Sequence, residues 1–200
     1  HEGNMQRFIQ EAQVCAQLQH PNILAIHDLG VLETGEVFIT MTEIRGDSLQ
    51  ECIQQAHAAT SNGQWSVGQE SWNLRRLITI FHDMCKAVSY AHKHGVVHRD
   101  LKPQNVMVGP FGEVLVVDWG LAKVVSVDDA IESVVTTRSQ SDAHATVAGV
   151  IYGTPAYMAP EQTSGEKQVA NEQTEIYALG AILYELLKGT PAYDGKSVFE

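Results

Sequence analysis

The chain has 200 residues, 44% of them hydrophobic and 18% charged, with a formal net charge of -11. That is the composition of a soluble globular protein, one medium domain or two small lobes, long enough to bury a sizeable core. The negative balance argues against nucleic acid, which needs a basic face, and does not by itself identify any other partner. In chain order, residues 5–18 place Phe8, Ile9, Ala12, Cys15 and Leu18 at helical spacing and predict an amphipathic helix. His20-Pro21-Asn22 ends it, because the residue before a proline is pushed out of the helical region. Residues 23–31 and 36–43 read as two strands of a hairpin, with Glu33-Thr34-Gly35 as its turn. Gly46-Asp47 breaks the chain, and Ser48 caps a helix reaching residue 58. A polar loop over residues 60–71 leads to a long helix, capped by Ser71 or Asn73 and stopped by Gly95. Its buried side carries Leu77, Ile80, Phe81, Met84, Val88 and Tyr90. Trp65 and Trp72 flank that loop and are expected to pack against the lower part of the molecule.

Short β segments follow at residues 96–97, 106–108 and 113–117. From 122 to about 150 the chain is rich in Ser, Thr, Asp and Ala, lacks periodicity and reads as a mobile loop. Residues 174–187 form an apolar helix expected to be buried on most sides. The longest apolar stretch, residues 176–187, is too short to span a bilayer and contains Glu185. Cys15, Cys52 and Cys85 are odd in number and lack Cys-x-x-Cys spacing, so they read as reduced thiols. No secretory signal follows His1, and the expected location is cytoplasmic, with a membrane anchor outside this stretch left open.

The chemistry concentrates in HRDLKPQNVMVGPFGEVLVVDWGLAK, residues 98–123. Phosphoryl transfer needs oxygen ligands for Mg²⁺, a carboxylate to take the proton of the attacking hydroxyl, and a cation to offset charge on the transferred group. Asp100, Lys102, Asn105 and Asp118 offer these groups within one loop–hairpin–loop unit. His-Arg-Asp-Leu-Lys-Pro-x-Asn followed by Asp-x-Gly resembles the catalytic and metal-binding motifs of eukaryotic-like (Hanks-type) serine/threonine protein kinases of bacterial type. The resemblance implies that Asp100 is the catalytic base, that Lys102 neutralises the γ-phosphate of ATP, and that Asn105 and Asp118 hold Mg²⁺. Lys102-Pro103 is similar to the serine/threonine type rather than the tyrosine type.

It also implies that Glu11 is the αC glutamate that pairs with an ATP-contacting lysine. Met41 takes the gatekeeper position, Thr42 to Ile44 form the adenine hinge, and Met107 packs under the adenine. Residues 153–161 (GTPAYMAPE) resemble the segment that receives the substrate peptide, and residues 176–180 the buried αF helix. The implied fold is α+β and two-lobed, with residues 1–45 a partial N-lobe (αC, two strands, hinge) and 46–200 a mainly helical C-lobe. The implied partners are proteins with Ser/Thr acceptors, including the kinase itself. Arg99 before Asp100 suits a phosphate on the activation loop. Thr136, Thr137, Ser139, Ser141 and Thr146 are candidates there, with Thr146 favoured for its closeness to Gly153-Thr154.

Two substitutions depart from the pattern. Trp119 stands for the usual phenylalanine, and Glu175 for the αF aspartate that anchors the catalytic loop from below. Glu has one more methylene, so the anchor is expected to persist with a small shift. No Gly-rich loop or Val-Ala-x-Lys strand precedes Glu11, and the stretch by itself is expected to be marginally stable and nearly inactive. A pseudokinase and a small-molecule kinase are the rival readings. The first needs a lost catalytic residue, and the second lacks the segment over residues 153–161. His82, His92, His94 and His98 show no zinc-ligand pattern and read as surface or structural histidines.

Overall fold

The structure, a computed structural model, describes residues 9, 12, 13, 15–60, 65, 72–119, 123–124, 154–163 and 170–193. Residues 9, 12, 13 and 15–17 are helical, and Ala12, Cys15 and Leu18 are buried, as their spacing predicts. At the following turn the Ile23 amide donates to the His20 carbonyl at 3.0 Å. Ile23 does not enter the hairpin expected to begin there. It forms a parallel bridge with Val116 instead, so the hairpin starts later. Its strands are β1 (Ile26–Val31) and β2 (Val37–Met41), antiparallel, with the turn where Glu33-Thr34-Gly35 places it.

The break expected at Gly46-Asp47 holds a short strand, β3 (Asp47–Ser48). Gly46 has a φ of 147°, and a Cβ there would lie 2.0 Å from the Val108 carbonyl oxygen, so only glycine fits. Ser48 then starts α1 (Leu49–Ala58). Its hydroxyl accepts the Glu51 amide while the Glu51 carboxylate accepts the Ser48 amide, a reciprocal cap. Leu49, Cys52, Ile53 and Ala56 form the buried stripe. The Asn73 side chain accepts the Arg76 amide and opens α2 (Leu74–Lys93), which buries Leu77, Ile80, Met84, Ala87, Val88 and Ala91. Phe81 and Tyr90, expected on that face, are half-buried and pack against the core.

After Gly95 come β4 (Val96–Val97), β5 (Val106–Val108) and β6 (Val114–Val116). β5 is the middle of a three-stranded antiparallel sheet between β3 and β6. β4 pairs with β7 (Lys123–Val124), a strand lying within the stretch read as a loop from residue 122. A two-residue strand carries no periodicity to read. The short α3 (Pro160–Thr163) precedes α4 (Glu172–Lys188), capped by Asn171 and closed by Gly189 at a φ of 84°. α4 buries Thr174, Glu175, Ala178, Ala181, Ile182, Glu185 and Leu186. The expectation that it is buried on most sides is corrected here, because Ile176, Tyr184 and Leu187 are exposed.

The fold is mixed α+β. A core cluster runs from Cys15, Leu18 and Ile23 through α1, α2 and the β5–β6 hairpin to Ile182 and Leu186 on α4. Trp65 and Trp72 pack against it, as expected. Among the described residues no helix is long and apolar enough to cross a membrane.

Candidate active site

The stretch expected to carry catalysis begins where β4 ends. His98 is fully buried, and its Nδ1 accepts the Asp100 amide at 3.3 Å. That leaves Nε2 to donate to the Val117 carbonyl, 2.9 Å away, so one ring ties the start of the loop to the end of β6. Arg99 has a φ of 75°, left-handed backbone that a non-glycine residue adopts at a cost of about 1–3 kcal/mol. Its amide donates to Glu175 Oε1 at 2.8 Å, and Glu175 Oε2 lies 2.6 Å from His92 Nε2. Glu175 is buried on α4. The longer side chain therefore keeps a hold on the loop backbone, and its second oxygen is fixed by His92.

Asp100, Lys102 and Thr154 close a triangle of hydrogen bonds. Lys102 Nζ donates to Asp100 Oδ2 at 2.6 Å and to Thr154 Oγ1 at 3.0 Å. The Thr154 hydroxyl donates to Asp100 Oδ1 at 2.9 Å. The Asp100 side chain is 11% exposed and that of Lys102 22%, so the pair is poorly screened by solvent. Asn105 Nδ2 donates to the Asp100 backbone carbonyl at 2.9 Å, which leaves its Oδ1 to offer to a ligand. The Asn105 carbonyl accepts the Val117 amide at 3.0 Å. That bond returns the chain from the hairpin to the loop, and the next residue is Asp118, exposed and with a φ of 62°. Trp119 is buried beneath. Its indole N–H donates to the Val116 carbonyl at 3.2 Å, and its ring lies 4.7 Å from the His98 ring.

The other predicted residues fall in two groups. Met41 ends β2 opposite Ile26 and is 44% exposed. The Thr42 amide donates to the Ala25 carbonyl at 3.4 Å, Ile44 is half-buried in the connection to β3, and Met107 sits in β5 between Ser48 and Leu115. Glu11 lies outside the described residues, as do Gly153, Thr136, Thr137, Ser139, Ser141 and Thr146.

The family model described as protein kinase domain matches residues 1–200. The chain belongs to the protein kinase family. Similar curated proteins are serine/threonine-protein kinases PknD. That of Protochlamydia amoebophila is 39% identical over 183 residues, covering 90% of this chain and 18% of the relative. That of Chlamydia caviae is 36% identical over 183 residues, covering 90% and 19%. That of Chlamydia trachomatis serovar D is 37% identical over 190 residues, covering 91% and 20%. The chain thus spans about a fifth of the length of these relatives.

The kinase domain also holds a buried polar network that the sequence reading missed. Tyr157 donates its hydroxyl to Glu185 Oε2 at 2.6 Å, and Gln50 Nε2 donates to Glu185 Oε1 at 2.9 Å. Gln104, inside the catalytic loop, donates to Gln50 Oε1 at 2.9 Å. Burial, then the bond to Glu185, push the Tyr157 phenol well above its ordinary range. The available signal was a carboxylate within an apolar helix, which needs partners to be buried.

Proposed function

We propose that this kinase domain transfers the γ-phosphate of ATP to serine and threonine hydroxyls of protein substrates, itself included. The observation that carries the reading is the triangle of Asp100, Lys102 and Thr154 with Asn105 bonded to the Asp100 carbonyl. Asp100 is placed to accept the proton of an incoming hydroxyl and to orient its oxygen. Lys102, already within 2.6 Å of that carboxylate, offsets charge gathering on the transferred group. The names of the relatives and the Lys102-Pro103 pair support Ser/Thr acceptors.

The donor set suits Mg²⁺. Among the described residues no cluster of three His, Cys, Asp or Glu side chains offers a complete cage. Asn105 and Asp118 offer two hard oxygens, which fits an ion that keeps waters and phosphate oxygens as its other ligands. When bound, Mg²⁺ supplies neutralisation of the phosphate charge. In this reading Glu11 pairs with an ATP-contacting lysine, and Met41, Thr42, Ile44 and Met107 receive the adenine. Thr146 is an autophosphorylation site whose phosphate pairs with Arg99. Residues 1–45 belong to the N-lobe and 46–200 to the C-lobe, and the domain works in the cytoplasm.

The test is transfer of labelled γ-phosphate from MgATP by the intact protein, with Asp100→Asn as control. Wild type is expected to label itself and a generic protein substrate on Ser/Thr, and the variant to be slower by about a hundredfold or more. Equal silence of both, with ATP still bound, would overturn the reading in favour of a binding module.

A further inference from the structure

We propose that the turn His20-Pro21-Asn22 is a proton-sensitive clasp, closed on the catalytic hairpin while the His20 ring is unprotonated and loosened when it takes up a proton. His20 Nδ1 accepts the Asn22 amide at 3.1 Å. Only an unprotonated Nδ1 has a lone pair to offer, so protonation sets N–H against N–H. The ring packs on Tyr90 of α2 with centroids 5.1 Å apart, and His94 packs on the same Tyr90 at 4.1 Å.

The turn carries the junction to β6. Asn22 Nδ2 donates to the Val114 carbonyl at 3.0 Å, and the Asn22 carbonyl accepts the Val116 amide at 2.8 Å. Ile23 bridges Val116, and the Leu24 amide donates to the Val116 carbonyl at 3.3 Å. Two residues beyond Val116 stands Asp118. A loosened turn therefore slackens the strand that delivers this carboxylate.

The charged groups acting on His20 come from α2. Lys86 opposes a proton on the ring and Asp83 favours one. The two are paired with each other at 2.7 Å, and His82 lies 3.8 Å from Asp83. β6 presents Val114, Leu115 and Val116, and the described helical residues before the turn (9, 12, 13 and 15–17) are uncharged. Burial first, then Lys86, hold the His20 pKa below its ordinary 6.5. The unfolded chain then binds the proton more readily. The clasp's contribution is complete above the ordinary value and is lost as pH falls through the lowered one.

The experiment is thermal melting of the intact protein without nucleotide, from about pH 7.5 to about pH 5.5, a range in which histidine titrates. Wild type is compared with His20→Asn, whose side-chain oxygen can accept the Asn22 amide and cannot titrate. The melting advantage of wild type is expected to shrink by about 2–4 °C on acidification, the scale of one lost hydrogen bond. Lys86→Gln removes the opposing cation and brings the folded pKa nearer the ordinary one, so the loss on acidification should be smaller than in wild type. An advantage that stays constant across the range overturns the proposal, as does a loss that Lys86→Gln leaves undiminished. If His20→Asn does not fold, the size of the loss in Lys86→Gln against wild type decides alone. Neither readout involves phosphoryl transfer, so the clasp and the catalytic reading stand or fall separately.

Discussion

Glu175 differs from the expected aspartate by one methylene, yet it makes two contacts that fix a strained residue. It accepts the Arg99 amide at 2.8 Å and meets His92 at 2.6 Å. Glu175→Ala would leave the Arg99 amide without its acceptor beneath a left-handed backbone. The expected cost is about 1–3 kcal/mol in stability by urea denaturation. The turnover number should fall further than stability accounts for, since the Asp100 carboxylate one residue on is displaced. That Asp100, Lys102 and Asn105 come together was legible in the sequence, because all three lie within one short loop. His92 was not legible as Glu175's partner. The two are 83 residues apart, and no local pattern pairs them.

At the scale of elements, period and caps were legible and contacts were not. The caps of α1 and α2 and the hairpin turns were readable because Ser48, Asn73 and the glycines act on neighbouring backbone. The strands β3 and β7 were missed because Asp47-Ser48 and Lys123-Val124 lack the paired β-branched residues that mark β4, and they are strands only through their partners. Gly46 makes the point testable. Gly46→Ala forces a Cβ against the Val108 carbonyl and a side chain into φ 147°. The expected loss is about 1–3 kcal/mol, read as a fall of several degrees in melting temperature. A variant melting like wild type would show that the β3–β5 approach is looser than drawn.

Across the whole molecule, α1 and the Tyr157 segment meet at the carboxylate of Glu185 on α4, and the loop over residues 98–105 joins them through Gln104 on Gln50. A charge this deep is tolerable only while its donors stay in place. Tyr157→Phe removes one of them and is expected to destabilise the domain by about 1–3 kcal/mol in denaturant titrations. The phenol's raised pKa means its contribution is whole below the ordinary tyrosine value of about 10. It is lost only as pH rises through the higher folded value, so the wild-type advantage over the variant should hold level from neutral to mildly alkaline pH.

The Arg99 backbone has a consequence for the order in which the molecule comes into being. Its support, Glu175, lies 76 residues further along the chain. At roughly 5–20 residues per second, a ribosome adds that support about 4–15 s after the catalytic loop has been made. Throughout that interval the Arg99 amide lacks the carboxylate that accepts it in the finished fold, so the loop is not yet braced from α4.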